Sequence, residues 1–362
     1  MPFGIVTLAF IIFLTVGLFA HVQVIPALLS VSHRDSWISI ILTSFLWVVW
    51  AFVIYKILRL LYKKDIPVFL KKYSKSPVWY YVITLPFAAY LFLGVIITIK
   101  DIAYWSQLTY APNLSIWIIN GLLLLFCFFC VSSGFNTIGN VSLLLLPLVV
   151  FLGFFVATAN IPKKHYELLL PLFENGFMPT LQGLIYTSLP IIEFFILFFI
   201  HSHFSKNFSY KSILIIGILV IGLMLGPTVG TIVEFGPEYA ALFRYPAYEQ
   251  WRILTIGKYF SNVDFFATFQ WLSGGIVRIS LFLFVLVNIF KSYKRQTNKT
   301  IYVIFFLVYL ISVLPLDPYL FYDWTFQYYF PIALIVLVIH TLFLLLILYI
   351  TDRKSKERNV SL

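Results

Sequence analysis

Charge is what this sequence has least of. Asp, Glu, Lys and Arg make up 11% of its 362 residues against 61% that are hydrophobic, and few of those charges fall inside its long apolar stretches. A soluble domain of this size could not hide that much apolar surface in one core. Cysteine is scarce too: Cys127 and Cys130 stand one turn apart in an apolar stretch, with no His or acidic residue close by in sequence. The CxxC spacing there reads as buried, inert thiols rather than a redox pair or a zinc site. No Walker-type phosphate loop, HExxH, nucleophile elbow or paired catalytic carboxylates occur. Neither an enzyme, a metal site nor a cofactor is expected. The longest polar connection, the basic stretch from about Lys56 to Ser76, leaves no room for a soluble domain.

What the chain does contain is a succession of apolar runs, each long enough to cross a bilayer, which takes roughly 20 helical residues. Hydropathy predicts an all-α polytopic membrane protein, one integral domain over residues 1–362. About ten spans are expected, near 3–29, 36–58, 79–103, 115–133, 137–158, 178–201, 211–234, 266–290, 300–316 and 328–350, followed by a basic tail at 351–362. Barrel strands would be shorter and would alternate in polarity. The first span is too long for a cleaved signal peptide and lacks a basic leading segment.

Alternate loops are strongly basic. One set carries Lys56, Arg59, Lys63, Lys64, Lys71, Lys72, Lys75, Lys206, Lys211, Lys291, Lys294, Arg295 and Lys299, and the tail adds Arg353, Lys354, Lys356 and Arg358. The other set holds Arg34, Lys163, Lys164, Arg244, Arg252 and Lys258, diluted by acidic residues. The positive-inside rule puts both termini in the cytoplasm. The net charge of +11 then reflects topology and anionic headgroups rather than nucleic acid. Aromatic residues such as Trp79, Tyr104, Trp105, Trp117 and Tyr319–Trp324 sit at span ends, where amphipathic rings favour the interface. The sequons at Asn113, Asn140, Asn207 and Asn298 carry no information without a glycosylating pathway.

Two spans are interrupted. Span one places Gly17, His21, Gln23 and Pro26 within ten residues, and the missing N–H of Pro26 predicts a kink or opening around residues 22–23. Span six carries Gly183, Tyr186, Thr187, Pro190 and Glu193, with Gly183, Tyr186, Pro190 and Glu193 on one helical face. Ten spans divide into two sets of five, so the interruptions fall at equivalent places. That pattern points to a midplane site of the transporter type. Span seven has Gly222, Gly226 and Gly230 at four-residue spacing, which predicts close packing, within the bundle in preference to a partner helix.

Intramembrane charge narrows the reading. Glu193 and Arg278 lie in mid-span, where each would cost about 2.5–3.5 kcal/mol facing lipid. An ion pair between them is expected, structural or functional, and exchanging the two charges should restore what either neutralisation loses. His21 reads equally as a proton-sensitive ligand contact or a packing histidine. His340 reads as structural, and Lys100 with Asp101 as an interfacial pair.

At this point the residues resemble a known family. The stretch Tyr245-Pro246, Trp251-Arg252-Ile253, Gly257, Phe260, Asp264, Trp271 and Gly275 to Arg278 is similar to the B subunit of Ger-type spore germinant receptors, a branch of the amino acid–polyamine–organocation transporter superfamily. Arg34-Asp35-Ser36-Trp37-Ile38-Ser39 resembles that family's entry to span two. Leu170-Pro171, Glu174-Asn175-Gly176, Pro179 and Gly183 resemble its approach to span six. The resemblance implies a LeuT-like 5+5 inverted repeat with broken helices 1 and 6, in the inner membrane of a bacterial spore. It implies an A subunit and a lipoprotein C subunit as partners. It also implies a small nutrient germinant, an amino acid, sugar or nucleoside, bound between spans one and six, with spans three and eight as walls. Carried over by position, that pocket comprises Gly17, His21, Gln23, Gly183, Tyr186, Thr187 and Glu193. Two departures stand out. Phe19 and His21 replace the small residues that form the family's carboxylate cradle, and Ser261-Asn262 replace an acidic–basic pair.

Two functions compete. A sensor would let ligand bias a two-state bundle that partner subunits read. A proton-coupled amino acid or small-solute transporter would use Glu193 or His21 in alternating access. The resemblance favours the sensor.

Overall fold

Inside a bilayer the backbone must satisfy its own hydrogen bonds, and a chain this apolar does so as helix. The computed structural model describes residues 3–62, 64–73, 77–205, 208–255, 263–294 and 299–360. Within them the structure is helical apart from loops and one isolated parallel bridge, Phe3 to Phe204. Lys63, Lys75, Lys206, Gly257, Lys258, Phe260, Ser261, Asn262, Arg295 and the sequons at Asn207 and Asn298 lie outside the described residues.

The helices are α1 (Ile5–Leu18), α2 (Ile25–Ser32), α3 (Ser36–Leu60), α4 (Ile66–Tyr73), α5 (Pro77–Thr109), α6 (Ile116–Ser132), α7 (Phe135–Ala159) and α8 (Met178–Ile192). They continue with α9 (Leu197–Ile200), α10 (Tyr210–Phe235), α11 (Pro237–Leu242), α12 (Pro246–Arg252), α13 (Phe265–Lys294), α14 (Lys299–Ser312), α15 (Pro318–Trp324) and α16 (Phe330–Val360). Among the described residues, seven helical runs are long and apolar enough to cross a membrane, and α6 and α14 are shorter apolar helices. The longest run, Ile5–Leu60, has 56 residues and folds back at a 3-10 turn, His33–Asp35. His33 takes a positive φ of 45° there, held by the Ser36 hydroxyl, which donates to the His33 carbonyl (2.6 Å).

Burial separates an inner set of helices from an outer one. In their most apolar stretches Met178–His203 is 89% buried and Phe265–Lys291 83%, against 22% for Phe135–Ala159 and 28% for Pro318–Arg353. Span six and α13 are therefore the axis of the bundle, and α7 and α16 present much of their surface to lipid. α13 packs on α1, α5, α6 and α7, while α3 packs on α8 and α10.

Both interruptions are present, in a different form from an opened helix. Between α1 and α2 the backbone widens into a π-helical segment, Phe19–Val24. Pro26 cannot donate to the Val22 carbonyl, and one widened turn re-registers the hydrogen bonds without unwinding the helix. In span six the turn tightens instead, into a 3-10 segment at Glu193–Ile196, one turn beyond Pro190. A π turn thus stands where a kink or opening is expected around residues 22–23, and a 3-10 turn marks the interruption of span six.

The glycines of span seven also differ from expectation. Gly222 and Gly226 are exposed with no side chain or backbone of another element near the Cβ position, and only Gly230 makes a close approach, to Gln250. The tight contact of α10 is at Gly217, where a Cβ would fall within the indole of buried Trp47. That indole donates from Nε1 to the Leu214 carbonyl (2.9 Å). Gly217→Val is expected to destabilise by about 1–3 kcal/mol through overpacking, read as a lower melting temperature of the detergent-solubilised protein. The same change at exposed Gly222 should leave the melting temperature unchanged.

Candidate functional site

The centre of the bundle holds one complete ionic network. Arg278 of α13 grips Glu193 bidentately, Nη1 to Oε2 at 2.7 Å and Nη2 to Oε1 at 2.5 Å, and both side chains are 1% exposed. The third nitrogen, Nε, donates to Thr98 Oγ1 of α5 (3.2 Å), and Nη1 also reaches the Thr15 carbonyl of α1 (3.1 Å). The Tyr90 hydroxyl donates to Glu193 Oε1. The rings of Phe282 and Phe19 lie 4.4 and 4.6 Å from the guanidinium carbon. Every nitrogen of the cation is thus satisfied. This is the condition under which a buried pair can offset its desolvation.

A second network sits toward the far end of α5, against the connection between α11 and α12. Asp101, 1% exposed, accepts from Arg244 Nη2 (2.6 Å) and from the hydroxyl of Tyr322 in α15 (3.0 Å). Gln23 of the π segment donates to its other oxygen (3.3 Å). Tyr322, Tyr245 and Phe326 wall the Arg244 guanidinium, the Tyr322 ring at 3.6 Å. Lys100 is not its partner: Lys100 Nζ donates to the Leu314 carbonyl beyond the carboxyl end of α14 (2.7 Å). Adjacent helix positions point to different faces, so the two neighbours serve different helices.

The π segment joins the two networks. Its first residue, Phe19, lies on Arg278 and meets Phe330 edge-on at 5.5 Å, while Gln23, four residues on, holds Asp101. Tyr186 faces the same Phe330 ring at 6.5 Å. Phe19 and Phe330 are 2% and 1% exposed, so aromatic side chains fill the space between the two interrupted spans.

The other sequence-predicted residues point elsewhere. Gly17 faces Leu223 of α10, 2.8 Å from a Cβ. His21 is half-buried, and its Nδ1 has no hydrogen-bond partner among the described residues. Gly183 packs on Ser32 and Ser39. Thr187 Oγ1 lies 2.5 Å from Thr43 Oγ1 of α3. The structure brings Gln23, Tyr186 and Glu193 around the joint of spans one and six, and turns Gly17, Gly183 and Thr187 toward helix–helix seams.

The residues that sequence reading left out are Thr15, Tyr90, Thr98 and Tyr322, together with Arg244 as the partner of Asp101. Tyr90 and Thr98 lie at i and i+8 on α5, a face legible only once its neighbours are known. The Arg34–Ser39 stretch is a clamp: Arg34 pairs with Glu174 (2.6 Å) and Asp35 accepts from the Phe173 N–H (3.2 Å). Ser32 and Ser39 donate to the carbonyls of Pro179 and Thr180, fixing the start of α8. Around Asp264, the hydroxyls of Tyr110 and Tyr248 donate to the carboxylate, and Trp271 stacks on Trp105 at 4.3 Å.

The family model described as spore germination protein matches residues 2–319. Spore germination protein XB of Bacillus anthracis is 32% identical over 353 residues, covering 96% of this chain and 98% of that protein.

Proposed function

The chain belongs to the spore germination protein family, and on that premise we propose that it is the membrane subunit of a nutrient germinant receptor. In this reading it lies in the spore inner membrane with both termini on the basic side. It crosses about ten times in a LeuT-like 5+5 arrangement and works with A and C partner subunits. A small germinant binds at the joint of spans one and six, against Phe19, Gln23 and Tyr186.

The observation that carries the reading is the π segment. It touches both buried ion pairs, through Phe19 on Arg278 and Gln23 on Asp101. A ligand that displaces it therefore alters contacts with α5, α13 and span six together, which is how differential affinity becomes a change of state. The pairing of Glu193 speaks for a sensor over proton coupling. A carboxylate already gripped by a cation and a tyrosine hydroxyl has no free oxygen aimed at a transport path.

Reconstituted protein tests this by measuring uptake and binding of amino acids, sugars and nucleosides with and without a pH gradient. Saturable binding without accumulation is expected. Accumulation that follows the gradient would overturn the sensor. Gln23→Ala removes one hydrogen bond to a buried carboxylate, worth about 1.5 kcal/mol. It is expected to weaken binding of whichever compound binds by roughly tenfold, read by equilibrium binding.

A further inference from the structure

At the basic end of the bundle, α6, α13 and α14 leave a cleft of about 340 Å³. Phe128, Val131, Phe284, Val287 and Ile301 form its apolar lining, and Ser132, Asn288, Lys291 and Tyr302 bring polar atoms to it. Phe284, Asn288 and Lys291 follow one another at helical spacing on α13. That face runs from ring to amide to cation as it nears the basic end. Neither Asn288 nor Lys291 has a hydrogen-bond or ion-pair partner among the described residues. Tyr302 in its lining is 60% exposed, and Phe129, Val303 and Phe306 on the same two outer helices, α6 and α14, are 55–61% exposed.

We propose that this cleft binds one anionic phospholipid from the leaflet at the basic end. The phosphate rests on Lys291 and Asn288, and an acyl chain lies along Phe128, Phe284 and Ile301. Charge selects the ligand: a cation with no ion-pair partner among the described residues, beside apolar side chains, at the end where the positive-inside rule places the anionic leaflet. The seat also matters mechanically. Phe284, its back wall, contacts Phe135 at 5.6 Å and His203 at 5.7 Å, and Phe135 meets Phe3 at 6.0 Å. A bound lipid thus props the joint where the start of span one meets the end of span six.

The test uses the full-length protein, delipidated in detergent, with three probes: phosphatidylglycerol, phosphatidylcholine of the same acyl chains, and glycerol 3-phosphate. Native mass spectrometry and melting temperature are read together. Saturable retention of one phosphatidylglycerol with a raised melting temperature is expected, and neither other probe should match it. Lys291→Gln should weaken retention about fivefold, what one lysine contributes at an anionic surface. Ile301→Trp, which fills the cleft, should abolish retention while the lipid-free protein melts as before. Equal retention of both lipids, full effect from glycerol 3-phosphate alone, or unaltered binding in Lys291→Gln would each overturn the proposal.

Discussion

Glu193→Gln is expected to destabilise the folded protein by about 3–5 kcal/mol, the cost of breaking a buried pair from one side. The guanidinium of Arg278 would stay fully buried between Phe19 and Phe282 with its charge uncompensated. Arg278→Gln should cost a similar amount, since it strands the carboxylate with the Tyr90 hydroxyl alone. The double change Glu193→Gln/Arg278→Gln should recover most of the loss, because two neutral amides can bond to each other. Exchanging the charges is not expected to do so. A carboxylate at position 278 would face the Thr15 carbonyl, which now accepts from Arg278, and acceptor would meet acceptor. Melting temperatures of the four variants in one detergent check this. If Glu193→Gln melts within a degree of the wild type, the pair is not held in the buried form described.

The Asp101–Arg244 pair should respond unequally to loss of its two members. Asp101 is sealed at 1% exposure, whereas the side chain of Arg244 is 22% exposed. Arg244→Ala leaves a buried carboxylate with only Gln23 and Tyr322. It is expected to cost about 2–3 kcal/mol, between the values for surface and buried pairs. Asp101→Asn keeps an amide oxygen that can still accept from Arg244, whose side chain is partly exposed and whose aromatic walls remain, and should cost about 1 kcal/mol. A thermal melt of each variant gives the comparison. Equal losses would mean that Arg244 is as tightly enclosed as its partner.

The class of the protein is legible in the sequence. An apolar chain with its charges gathered in alternate loops has few folds open to it, and a charge in mid-span must find a partner, which singled out Glu193 and Arg278. The partner of Asp101 is not legible in the sequence, because Lys100 stands beside it in the chain while Arg244 stands beside it in space. The face of Gly183 follows from helical spacing and the place of Gly17 from the family resemblance, but neither says which helix lies opposite. Both turned out to be packing notches against α10 and α3. Proline announced where the helices would be disturbed. It did not announce the form, since widening, tightening and opening all restore the missing hydrogen bond. Gly222, Gly226 and Gly230 showed the converse error: spacing alone implied close packing, and two of the three face outward.

The separation of Glu193 from Arg278 along the chain has a consequence for biosynthesis. The two lie 85 residues apart, so at 5–20 residues per second the carboxylate is made roughly 4–17 s before its counterion. Span six must therefore enter the bilayer, or wait at its edge, with an acidic group that has no cation to meet. Tyr90 already exists by then and can take the first hydrogen bond. The bundle closes around its axis only when α13 arrives and delivers the arginine to Glu193, Thr98 and Thr15 in one step. Insertion of this protein thus cannot complete its centre until α13 is made, although span six, its most buried run, comes earlier.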